Sequence, residues 1–144
     1  MFALFFIVKN YARDTWIYHV TNDVWTKGVS MQRGREYHAC GVRGKDVFVI
    51  GGEQGKIANS IEIWNGAKWK YSISQIGGTY LKILSQGSNI YLFGGLLENG
   101  TLSAQIWKID RDNTFSKAGR MSMPRRDYAL FSVPRSFLTN CKGI

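Results

Sequence analysis

Arg43-Gly44-Lys45-Asp46-Val47-Phe48-Val49-Ile50-Gly51-Gly52 returns 43 residues later as Gln86-Gly87-Ser88-Asn89-Ile90-Tyr91-Leu92-Phe93-Gly94-Gly95. In each copy a small polar turn opens a short run of β-branched and aromatic residues, and two glycines close it. Such runs are too short for helices, and their consecutive apolar positions suit a strand buried on both faces. Upstream, Tyr37 matches Tyr80 at the same spacing, and Tyr128 follows 48 residues beyond Tyr80, with Arg126-Asp127-Tyr128-Ala129 answering Arg35-Glu36-Tyr37-His38. Downstream, Ile17 to Trp25 aligns with Ile61 to Trp69, and Ile106-Trp107-Lys108-Ile109 to Phe115 is a looser third copy. Periods of this length belong to repeat architectures.

Working outward, the pattern predicts strands near 3–8, 15–20, 23–27, 37–42, 46–51, 60–64, 68–72, 79–85, 89–94, 104–109, 114–117 and 127–133. Gly44-Lys45, Asn65-Gly66, Ser88-Asn89 and Asp112-Asn113 sit at hairpin spacing between them. Twelve strands make three groups of four, the content of a propeller blade. Composition agrees: 16 Gly, 2 Pro and 14% aromatic residues in 144 favour short strands and tight turns over helix bundles. With 44% hydrophobic and 20% charged residues the chain has material for one core and is not of the disordered class.

The marks that organise these copies resemble those of the kelch-repeat family. They are Gly51-Gly52 and Gly94-Gly95 closing a second strand, Trp25 and Trp69 on a fourth strand with Phe115 in the third copy, and Met- and Arg-containing links at Met31 to Arg35 and Met123-Pro124-Arg125-Arg126. Two departures stand out: Lys9-Asn10 replaces the first Gly-Gly, and Gln75-Ile76-Gly77-Gly78 lacks the Arg. The resemblance implies an all-β, kelch-type β-propeller, partial, of about three four-stranded antiparallel blades. Residues 1–30 would supply strands two to four of a first blade, 31–74 the second blade, 75–120 the third, and 121–144 the first strand of a closing or following blade. It also implies that the links and the loops between second and third strands share one face. Large rings at Trp25, Trp69 and Phe115 would each bury on the order of 150–250 Å² between blades, and Tyr37 and Tyr128 are expected to face the blade interior. Three blades are fewer than the roughly 4–8 that close a ring. Hence the chain is expected to be part of a longer propeller, or a half that completes a six-bladed ring as a homodimer.

Catalytic and metal signatures are sparse. Gly44-Lys45-Asp46 lacks the first glycine and the Ser/Thr of a phosphate-binding loop. His38 and Cys40 share one face of a strand, but His19 and Cys141 are the only other residues of their kinds, so no metal site and no cofactor are expected. Two thiols do not make a disulfide framework, which points to a reducing, cytoplasmic compartment. The apolar run Phe2 to Val8 is too short to cross a bilayer, has no basic residue before it and reads as a strand. Asn99-Gly100-Thr101 fits a glycosylation acceptor and, more simply, a loop turn.

What remains is charge. The net charge is +9, and Arg33, Arg35, Lys56, Arg125 and Arg126 all fall on links or loops expected to share a face. Their summed potential would draw an acidic protein segment, with Arg35 and Arg126 as carboxylate clamps and the others steering. Aromatics are not interleaved with these cations in the manner of a single-strand platform, so nucleic acid is not the expected partner. The expectation is a non-enzymatic protein-binding module. The alternative is a sugar-modifying propeller enzyme using Glu53 or Glu98 as acid or base.

Overall fold

In a computed structural model of the chain, residues 2–6, 12–52 and 59–133 are described. They form three antiparallel sheets with no α-helix. Sheet 1 has three strands in the order β1 (Phe2–Phe6), β2 (Thr15–His19), β3 (Val24–Lys27). Sheet 2 has four: β4 (Ala39–Arg43), β5 (Asp46–Ile50), β6 (Ser60–Trp64) and β7 (Trp69–Ile73). Sheet 3 has four: β8 (Lys82–Gln86), β9 (Asn89–Phe93), β10 (Gln105–Ile109) and β11 (Phe115–Arg120). In all three sheets each strand pairs with its neighbour in sequence.

Eleven of the twelve expected strands form among the described residues. The exception is 127–133, which has no strand structure and leaves Phe131 74% exposed. A strand needs a partner for its alternate N–H and C=O groups, and no described strand edge pairs with this segment. The described sheets do not close into a ring. One turn also shifts: Gln86 pairs with Asn89, so Gly87-Ser88, rather than Ser88-Asn89, turns the β8–β9 hairpin.

Alternation along β5 explains why the sheets stack. Val47 and Val49 point to one side, joining Met31 and Trp69 in a buried cluster with Trp64 against it. Phe48 and Ile50 point to the other, joining Ala39, Ile61, Leu81, Ile90, Leu92 and Ile109, with Phe115 packed at the margin. Strand β5 is therefore buried on both faces, as its unbroken apolar run predicts. The approach of β4 to β8 is close: a Cβ added at Gly41 would overlap the Ile83 side chain. Gly51 needs both its left-handed backbone, φ 69°, and its missing side chain, since the carbonyl of Gly78 occupies the space a Cβ would take.

The three equivalent rings do not share one environment. Trp69 is 4% exposed and donates from its indole to the Val29 carbonyl at 2.8 Å. Trp25, expected to be buried, is 48% exposed and packs at a tilt on Tyr18, with ring centroids 4.9 Å apart. Neither core cluster contains a described side chain of β2 or β3.

Candidate functional site

The expected clamp at Arg35 must be corrected first. Arg35 is fully buried, and its guanidinium meets the equally buried Glu62 carboxylate at 3.2 Å. It donates as well to the carbonyls of Gly51, at 2.6 Å, and Ser60, at 3.3 Å. Glu62 also accepts from the backbone N–H of Gln32, at 2.6 Å, and of Arg33, at 3.0 Å. A buried ion pair holds only when its remaining hydrogen-bonding capacity is met. Here that is done by fastening the link at 31–35 to β5 and β6, which leaves Arg35 nothing to offer a partner.

The other basic residues are placed differently. Arg33, Arg125 and Arg126 are exposed. The Arg33 guanidinium lies 5.4 Å from the Tyr71 ring centroid and that of Arg126 lies 5.6 Å from the Tyr80 ring. Arg126 also contacts Asp127 at 3.5 Å. Lys56 and Glu53 lie outside the described residues.

Beneath Arg126 is a feature the sequence reading placed wrongly. Tyr37 is not turned inward: it is 43% exposed and stacks on Tyr80 with ring centroids 4.5 Å apart. The backbone joins them too, the Tyr80 N–H donating to the Tyr37 carbonyl at 2.9 Å. Both residues hold positive φ, 54° and 58°, which is uncommon for large side chains. Burial and the neighbouring Tyr37 hydroxyl push the Tyr80 phenol above its ordinary pKa. The third position of the series is Asp127, φ 53°, and not Tyr128. The hydrogen bonds fix this register, because Gly95 donates to the Arg125 carbonyl as Gly52 donates to that of Gly78. Tyr128 is half-buried, and its hydroxyl approaches Gly94 where Leu81 approaches Gly51.

No protein-family model and no curated protein matches the chain. The geometry alone carries the functional reading.

A 570 Å³ cleft opens between the loop joining β9 to β10, the link at 75–77 and the β10–β11 hairpin. Glu98 lines it and accepts from the Asn59 side-chain amide at 2.9 Å. The loop carrying Glu98 is tied down by Leu97 and Gly100 backbone bonds and by the Asn99 carbonyl oxygen, which accepts from Thr101 N–H and hydroxyl. Asn99 thus serves as a turn residue. Among the described residues no group of three His, Cys, Asp or Glu could hold a metal.

His38 is a different kind of group. Burial, with the Arg35 charge beside it, lowers its pKa to about 4 from the ordinary 6.5. Since the unfolded chain binds the proton more readily, stability is full above pH 6.5 and falls as the pH drops toward 4. The loss is expected to be on the order of 2–3 kcal/mol across that window. Urea titrations of wild type and His38→Asn at pH 7 and pH 4.5 check this, the variant losing less between the two pH values.

Proposed function

We propose that the chain is a non-enzymatic protein-binding module of the kelch-type β-propeller class, whose link face docks an acidic segment of another protein. One observation supports this most: the exposed Tyr37–Tyr80 stack capped by Arg126, with Arg33 and Arg125 exposed on neighbouring links. A carboxylate can meet the Arg126 guanidinium while the aliphatic part of the same segment lies on the Tyr37 ring. Aromatic anchors beside arginine are the residue types that dominate binding energy at protein interfaces. The backbone holds both rings in place, so little side-chain freedom is lost on docking.

A fluorescent polyglutamate peptide provides the test. Arg126→Ala combined with Tyr37→Ala is expected to weaken binding at least tenfold, about 1.4 kcal/mol. Wild-type association should slow as salt rises beyond about 0.15 M, where the screening length is near 8 Å. Affinity indifferent to salt and to both substitutions overturns the reading.

A further inference from the structure

The cleft beside sheet 3 borders the position that corresponds to Glu62 of the Arg35–Glu62 pair in sheet 2. Val49 pairs with Glu62 in one sheet and Leu92 with Trp107 in the other, so Trp107 stands where Glu62 does. Tyr37 and Tyr80 likewise set Gly78 where Arg35 stands. Both members of the ion pair are thus replaced: the Leu96 carbonyl takes the space that a Cβ at Gly78 would need, and the cleft opens beside Trp107. That also gives a physical reason for the missing arginine in the second link: its carboxylate partner is missing too.

The open space is lined by charges that do not neutralise one another. Glu98 lines it, held by the neutral amide of Asn59. Lys117 and Arg120, both exposed on β11, line it as well. Among the described residues none of the three forms an ion pair. The half-buried Trp107 and the exposed Leu102 also line it and give it apolar surface. At 570 Å³ the cleft is within the range of about 300–1,000 Å³ usual for small-molecule sites.

We infer that this cleft binds a small zwitterion of the apolar α-amino acid or dipeptide class. Its ammonium group meets Glu98, its carboxylate meets Lys117 and Arg120, and its side chain lies against Trp107 and Leu102. A ligand carrying both charges satisfies both sets of groups at once, whereas one carrying a single charge leaves the opposite set unmatched. Charge-assisted hydrogen bonds supply orientation, and apolar contact supplies most of the remaining affinity. The site is separate from the Tyr37–Tyr80 stack and does not depend on the peptide-docking reading.

The experiment uses saturation-transfer NMR and calorimetry on the full chain with four probes: Leu-Leu, its N-acetylated form, its C-terminal amide, and the doubly capped neutral dipeptide. Saturable binding of Leu-Leu is expected in the millimolar range, with roughly tenfold loss for either single cap. Glu98→Gln should abolish the penalty for N-acetylation and leave that for amidation. Lys117→Ala with Arg120→Ala should do the reverse, and both sets of residues are exposed enough for the variants to fold. Arg126→Ala should change none of these values. Equal affinity for charged and doubly capped probes, or no saturable binding of Leu-Leu at about 10 mM, overturns the inference.

Discussion

Arg35→Ala is expected to destabilise the fold by about 3–5 kcal/mol, the usual consequence of removing one partner from a buried ion pair. Most of that loss comes from Glu62, which keeps its burial and loses its counter-charge. Two backbone amides, those of Gln32 and Arg33, still reach the carboxylate. The Gly51 carbonyl loses the guanidinium donor, and the Ser60 carbonyl keeps only the Gly51 N–H. Glu62→Ala should cost a similar amount by stranding the guanidinium. The double change Arg35→Met with Glu62→Leu separates charge from packing, because replacing both members with apolar groups of similar size is often close to neutral. Urea unfolding with an unchanged slope reads each step. A single-variant loss well below 1 kcal/mol would place Arg35 in solvent and return it to the set of candidate ligand contacts.

Trp69→Ala should be as damaging, at about 3–5 kcal/mol, and Trp25→Ala should cost about 1 kcal/mol or less. The two residues occupy the same place in successive copies of the sequence pattern, so the contrast measures environment alone. Trp69 fills the space among Met31, Val47 and Val49 and donates its indole N–H to Val29. Trp25 covers Tyr18 and leaves about half its surface in water. Equal losses would show that the outer side of sheet 1 is as well covered as the inner side of sheet 2.

Strand positions were legible because period-two burial and Gly-Gly punctuation are local properties of the chain. Eleven strands follow from them within a residue or two, except at the ends of β8 and β11. The segment at 127–133 has the strand pattern too, but pairing is a property of what lies alongside, which no local pattern encodes. The same distinction governs the site. Arg33, Arg125 and Arg126 are exposed, while Arg35, grouped with them, had a partner visible in the sequence: Glu62 interrupts the apolar run of Ser60-Ile61-Glu62-Ile63-Trp64, and a charge at such a position demands an opposite one. Tyr37, with Tyr128, is expected to face the blade interior, and Tyr80 holds the same place as Tyr37 in the next copy. The positive φ of Tyr37 and Tyr80 turns the backbone just before β4 and β8, so the parity of the strand does not apply to them. The cleft could not be read at all, since its lining comes from Asn59, the link at 75–77, the loop at 97–99 and strands β10 and β11, which are remote in sequence and meet only in the folded chain.

Burial of β5 on both sides has a consequence for how the chain emerges during synthesis. Val47 and Val49 find Met31 already made, but Phe48 and Ile50 wait for Ile90, Leu92 and Ile109. Until β10 has left the ribosome, the growing chain carries an uncovered apolar sheet face, the kind of surface that chaperones bind and that drives aggregation of nascent chains. Ribosome-nascent chains stalled after β7 should therefore bind a hydrophobic dye strongly, and those stalled beyond β11 weakly, with Phe48→Ser reducing the signal in the shorter chain.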